Sequence, residues 1–156
     1  TGDCPVIDPK IIDKVVTLFK KQPCDYITNM QMRKLALGMD TEVFTFATLE
    51  KTWQQAITAY DKEHVTPYIY THPKQFKVKE LILPRKFTRS GVRLTVDEPT
   101  DFKLITKIYQ HLYPSKPNFT LLDIYKLLDK QPQLKAINLA VQQKPAPYHK
   151  PSPKTK

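Results

Sequence analysis

Between Pro9 and Lys21 the apolar residues Ile11, Ile12, Val15, Val16, Leu18 and Phe19 return at the spacing of one helix face, with Lys10, Asp13, Lys14, Lys20 and Lys21 turned elsewhere. Asp8 is a good N-cap, Pro9 suits the first turn, and Pro23 marks the end. Alternation replaces this period in Asp25-Tyr26-Ile27-Thr28-Asn29 and in Glu42-Val43-Phe44-Thr45-Phe46, which read as strands. Residues 30–37 form a connection with no assignable pattern, closed by Gly38. From Ala47, Leu49, Trp53, Ala56, Ile57 and Tyr60 return to helical spacing, and residues 61–70 predict a short helix with Pro67 in its first turn or breaking it. Residues 76–83 predict a further strand through Val78, Leu81, Ile82 and Leu83, followed by a basic turn with Arg85, Lys86 and Arg89.

The stretch Val92-Arg93-Leu94-Thr95-Val96-Asp97-Glu98-Pro99 changes period within itself, from strand-like alternation to a helix start with proline in the first turn. It predicts a strand-to-helix elbow, and Phe102, Leu104, Ile105, Ile108, Tyr109 and Leu112 supply the helix face behind it. A second elbow is expected at Gly2-Asp3-Cys4-Pro5, just before the first helix. Thr120-Leu121-Leu122-Asp123 resembles a capping box for a helix through Ile124, Leu127 and Leu128, and a last helix is expected from Pro132 through Leu134 and Ile137 to Val141. Alternating strands and helices argue an α/β layer fold over residues 1–142, with a disordered Pro/Lys-rich tail over 143–156.

At 156 residues and 40% hydrophobic content the chain suits one packed domain. A formal charge of +10 favours anionic partners without choosing among them. With Cys4 and Cys24 as the two cysteines, neither a zinc cluster nor a disulfide framework is expected, and a reducing cytoplasm is the default. No apolar run approaches the ~18 residues of a membrane span. The opening at an apparent strand exit predicts that the chain is a fragment, and the sparse glycines leave no Gly-rich loop for a nucleotide's phosphates.

Asp3 and Asp97, each at a strand's carboxyl end, are the sharpest candidates for chemistry, because two carboxylates on one sheet edge can share a magnesium ion with a substrate's phosphates. From spacing alone the commoner reading of the same acids is a loop residue and a helix cap, each satisfied by backbone N–H groups. Asp40 and Glu42 bracket a strand start and suit sugar hydroxyls, or a solvated loop. Glu63 and His64, as neighbours on a helix, cannot face one another as a dyad, although either could reach a ligand. Arg85, Lys86, Arg89 and Arg93 could neutralise phosphate charge, or form a solvated basic loop and one strand residue.

Four collinear motifs, Thr1-Gly2-Asp3-Cys4-Pro5, Gly38-Met39-Asp40-Thr41-Glu42-Val43-Phe44, Glu63-His64-Val65-Thr66-Pro67-Tyr68-Ile69 and Arg93-Leu94-Thr95-Val96-Asp97-Glu98-Pro99-Thr100-Asp101-Phe102, together resemble the cytidylyltransferase family of spore-coat polysaccharide biosynthesis protein F, related to the CMP-KDO and CMP-acylneuraminate synthetases. The resemblance implies a Rossmann-like three-layer nucleotide-diphospho-sugar transferase fold lacking its amino-terminal strands and nucleotide loop. It also implies a Mg²⁺-dependent cytoplasmic enzyme that joins CTP to a sugar of acidic or related type, releases pyrophosphate and feeds polysaccharide synthesis. By this resemblance Asp3 and Asp97 fall on the aspartates that bind magnesium in the CMP-KDO branch, and Glu63, His64, Asp40, Glu42 and Arg93 become candidates for binding substrate. The missing loop implies that the fragment alone is inactive and leans on the absent segment or on a second copy. A non-catalytic scaffold of the same fold and a basic nucleic-acid binder are the rival readings. The second lacks an interleaved aromatic and basic face, and neither makes the chain a membrane protein.

Overall fold

Helix α1 (Pro9–Lys21) begins where the Asp8 carboxylate accepts the Lys10 N–H at 2.9 Å, with Pro9 in the first turn, and it ends before Pro23. The computed structural model describes residues 2–30 and 34–143. Within them lies a three-stranded mixed sheet of β1 (Tyr26–Thr28), β2 (Glu42–Phe44) and β3 (Val78–Glu80) in the order β2-β1-β3. Strand β1 pairs antiparallel with β2 and parallel with β3, setting Ile27 opposite Val43 and Lys79. Its three residues are all buried, as a central strand's should be.

The pairing is shorter than the alternation predicts, for local reasons. Thr45 leaves β2 to cap helix α2 (Phe46–Gln55), its Oγ1 accepting the Thr48 N–H at 3.0 Å. The strand expected over residues 76–83 keeps three paired residues, and the chain then enters a 3₁₀ turn at Arg85–Phe87 behind Pro84. In place of one helix over residues 61–70 there are two, α3 (Ala59–His64) and α4 (Thr66–Thr71), with Pro67 in the first turn of α4. The break falls at Val65, whose φ of 62° is unusual for a β-branched residue.

The expected strand at residues 92–96 is extended but pairs as a single parallel bridge between Leu37 and Arg93. Two bonds of 2.9 Å make it, Leu37 N–H to Val92 and Leu94 N–H to Leu37. Gly38 then turns the partner away at a φ of +94°, so close that a Cβ there would lie 2.9 Å from the Leu94 carbonyl carbon. Behind this segment come α5 (Pro99–Leu112), α6 (Leu121–Lys130) and α7 (Pro132–Lys135). Helix α6 opens with the expected box, Asp123 accepting the Thr120 N–H at 2.8 Å. The last helix stops at a 3₁₀ turn ending at Asn138, short of Val141.

The main core packs Ile11 of α1, Leu94, Leu104 and Ile108 of α5, and Leu121 and Ile124 of α6, while a smaller one joins Tyr26, Ala56, Tyr68, Ile69 and Phe76. Cys4 and Cys24 are not bridged. No helix among the described residues is long and apolar enough to cross a membrane. The tail over 144–156 lies outside the described residues, as does Thr1.

Candidate functional site

The two elbows meet through backbone. The Asp3 carbonyl accepts the Val96 N–H at 2.8 Å and the Thr95 hydroxyl at 3.0 Å. Asp3, half-buried, therefore lies beside the residue that precedes Asp97, and both acids stand at the end of the extended segment, where α/β folds bind ligands. The Asp97 side chain is 50% exposed, and its Oδ2 pairs with Arg93 Nη2 at 2.5 Å. Its Oδ1 accepts no hydrogen bond among the described residues.

Beneath Asp97 sits a buried polar network. Arg93 is 8% exposed and Asp101 fully buried. Arg93 Nε donates to both Asp101 oxygens at 2.9 and 3.0 Å, Nη2 adds a third bond at 3.0 Å, and Nη1 donates to Gln143. Asn138 donates to Asp101 at 2.8 Å and to the Arg93 carbonyl at 3.1 Å. Asp101 also accepts the N–H groups of Asp97 and Glu98 at 3.2 and 3.1 Å, which fixes the turn into α5. Burial pushes the Asp101 carboxyl up, but Arg93, Asn138 and the two N–H groups outweigh it and bring it down to about 2. Arg93 thus directs its guanidinium inward and holds Asp97 in place. Gln143, the first residue of the expected tail, is tied to Arg93 instead. Asp101 at the third helical position after Glu98-Pro99 was readable as half of a capping box. Asn138 carries no local signal, because its partners are distant in sequence.

The Gly38-to-Glu42 turn is held by Asn29, which the sequence did not single out. Asn29 Nδ2 donates to the Met39 carbonyl at 2.9 Å, and its Oδ1 accepts the Thr41 N–H at 2.8 Å. Asp40 lies exposed on that turn. Glu42 accepts hydrogen bonds from the Tyr26 hydroxyl and, at 3.3 Å, from Thr66, so it links β2 to the start of α4. Burial and the Glu42 charge both push the Tyr26 phenol up. Glu63 and His64 lie exposed on α3, with the His64 ring centroid 4.3 Å from that of Tyr60.

Of the basic turn, Arg89 is engaged by Asp129 at 2.6 Å and by the Tyr125 ring, and Lys86 lies over Phe87. Arg85 lines a cleft of about 400 Å³ with Asn29, Lys34, Leu35, Glu80 and Leu81. This cleft opens at the carboxyl ends of the parallel pair β1 and β3. No group of three or more His, Cys, Asp or Glu gathers among the described residues. Were a divalent ion held by the Asp3 and Asp97 carboxylates, water and ligand oxygens would have to complete its shell, hard donors of the kind Mg²⁺ prefers.

The family described as cytidylyltransferase matches residues 1–121. The uncharacterized protein MJ1063 of Methanocaldococcus jannaschii is 43% identical over 144 residues, which is 92% of this chain and 57% of that protein. Spore coat polysaccharide biosynthesis protein SpsF of Bacillus subtilis is 31% identical over 133 residues, 85% of this chain and 54% of that protein. The structure of a cytidylyltransferase from Leptospira borgpetersenii serovar Hardjo-bovis superposes with a TM-score of 0.78 at 33% identity, covering 86% of this chain and 56% of that one. The chain spans a little over half the length of the curated relatives it matches.

Proposed function

Because this chain belongs to the cytidylyltransferase family, we propose that the complete protein transfers a cytidylyl group from CTP to a sugar hydroxyl and releases pyrophosphate, making a CMP-sugar for polysaccharide or glycan synthesis. The observation that carries this reading is the backbone contact between Asp3 and Val96, which sets two carboxylate residues at one edge of the fold inside the family-matched region.

Attack of a sugar hydroxyl on the α-phosphate adds negative charge to the transferring phosphoryl group and its leaving pyrophosphate, so catalysis is mainly a matter of positioning and charge compensation. A magnesium ion bound between Asp3 and Asp97 would supply that compensation. Arg93 and Asp101 do their work from below. The guanidinium fixes Asp97 Oδ2 and Asp101 holds the backbone N–H groups of Asp97 and Glu98, so that the half-exposed carboxylate is kept in one place. Glu42, tied to Tyr26 and Thr66, keeps the Gly38-to-Glu42 turn in register with α4 and acts on substrate through the positions it fixes.

Purified complete protein incubated with CTP, Mg²⁺ and a panel of sugars should release pyrophosphate in proportion to the CMP-sugar formed. Chelation of the divalent ion should abolish the signal. Release without any CMP-sugar, or no release from any sugar tried, would remove the reading.

A further inference from the structure

We propose that one flank of α1 and the strap at residues 81–84, which follows β3, form a surface that docks the protein on an anionic lipid bilayer. The proposal goes beyond cytidylyl transfer and does not depend on it. Lys10, Lys14 and Lys21 lie four and then seven residues apart on α1, so their side chains share one face of the helix. They line a groove of about 650 Å³ whose opposite wall is the strap. Ile82 is 71% exposed on that wall, beside an exposed Pro84. Arg85 and Lys86, both exposed, follow directly in the 3₁₀ turn. Among the described residues the side chains of Lys10, Lys14, Lys21 and Arg85 make no hydrogen bond or ion pair, and Lys86 meets the Phe87 ring. Asp13 is the one carboxylate among the described residues that lines the groove.

An exposed aliphatic side chain flanked by uncommitted cations matches the two layers of a bilayer surface, an anionic headgroup plane over an apolar one. Lysine suits that boundary, because its stem packs along apolar surface while the ammonium stays among the headgroups. Leu18 and Leu81, half-buried in the groove, supply apolar surface to the stems. A single-stranded nucleic acid is disfavoured, since no aromatic ring lines the groove for a base to stack on. A protein partner is disfavoured as well, because the centres of protein interfaces are poor in lysine and rich in arginine and aromatic residues. No helix among the described residues is long and apolar enough to cross a membrane, so the contact is made at the bilayer surface.

The test is sedimentation of the complete protein with vesicles of phosphatidylcholine alone and of phosphatidylcholine with about one-third phosphatidylglycerol. Partition onto the anionic vesicles should be about ten-fold or more the stronger, and should fade between about 0.1 M and about 1 M salt as the Debye length shrinks from about 10 Å to about 3 Å. Lys10→Gln, Lys14→Gln and Lys21→Gln combined should lower it about 100-fold, and Ile82→Ser alone about five-fold. These side chains are exposed, so thermal melts should not change. A control variant loses the same charge on α5 and α6, through Lys103→Gln, Lys126→Gln and Lys130→Gln, and should keep its partition within about two-fold. Residues 144–156 are identical in every variant, so their lysines cannot account for a difference. Equal binding to neutral vesicles, no binding to either, or equal losses in the two triple variants would overturn the surface. Binding of a duplex oligonucleotide through the same three lysines, without vesicle binding, would assign the patch to nucleic acid and overturn it likewise. Pyrophosphate release is not read in this experiment, so cytidylyl transfer stands or falls separately.

Discussion

Arg93 and Asp101 form a buried, multiply bonded ion pair, with Arg93 Nε 2.9 Å from Asp101 Oδ1 and Nη2 3.0 Å from Oδ2. Removing one partner leaves an uncompensated charge in the interior, so Asp101→Ala should cost about 3–5 kcal/mol of folding stability. The pH dependence has a definite sign. The Asp101 carboxyl sits at about 2 in the folded chain, below its unfolded value, so its contribution is complete above pH ~4 and is lost as pH falls through ~2. The drop should be about 2 kcal/mol. Asp123 and Asp129 are also held below the usual carboxylate range, so the Asp101 share is read as the difference between wild type and Asp101→Asn in urea denaturation at pH 7 and at pH 2.5, the variant showing the smaller loss.

Asp97, by contrast, is half-exposed and bonded once through its side chain, so its removal should barely affect folding. Asp97→Asn keeps the shape and deletes the charge. In the complete protein it should lower kcat for pyrophosphate release by about 100-fold or more, with stability changed by less than about 1 kcal/mol. Equal turnover in wild type and variant would remove Asp97 from the chemistry.

Gly38 makes a different kind of contribution. Its φ of +94° and the 2.9 Å approach to the Leu94 carbonyl carbon leave no room for a methyl group. Gly38→Ala should therefore destabilise by about 2–3 kcal/mol, through both strain and overpacking. Thermal melts of Gly38→Ala and of Gly91→Ala separate the two terms. Gly91 also has positive φ but meets nothing within 4 Å, so only strain should act there.

What the sequence disclosed, and what it hid, divides along the range of the interactions. The helix starts at Pro9, Pro99 and Leu121 were readable because each cap lies within a few residues of what it caps. The α/β class followed from alternating periods, and the meeting of the Asp3 and Asp97 elbows was anticipated as a contact between strand ends. Strand lengths were overestimated because alternation persists past the point where Thr45 and Pro84 redirect the chain. The break at Val65 was hidden, since nothing in a valine announces a positive φ. Asn29 and Asn138 were invisible for another reason. Each is an ordinary polar residue whose partners, Met39 and Thr41 for one and Arg93 and Asp101 for the other, become neighbours only after folding. Arg93 was readable as a phosphate-neutralising cation or as one strand residue, because its charge was visible and its burial against Asp101 was not.

Asp8 caps two helices at once, and its variants can tell the two bonds apart. One oxygen accepts the Lys10 N–H at 2.9 Å at the start of α1, and the other accepts the Leu121 N–H at 3.0 Å at the start of α6. Leu121 is fully buried, so its N–H has no access to water if Asp8 is lost. The box at Thr120 does not serve that group, because Asp123 reaches the Thr120 N–H instead. Asp8→Ala should therefore cost about 2–4 kcal/mol, a cap of about 1 kcal/mol plus the stranded donor. Asp8→Asn retains one acceptor and presents an NH₂ where the other stood, so it should fall between wild type and Asp8→Ala. Chemical denaturation of the three proteins decides the matter. If Asp8→Asn is as stable as wild type, one of the two bonds contributes nothing and the joint between α1 and α6 is held by packing alone.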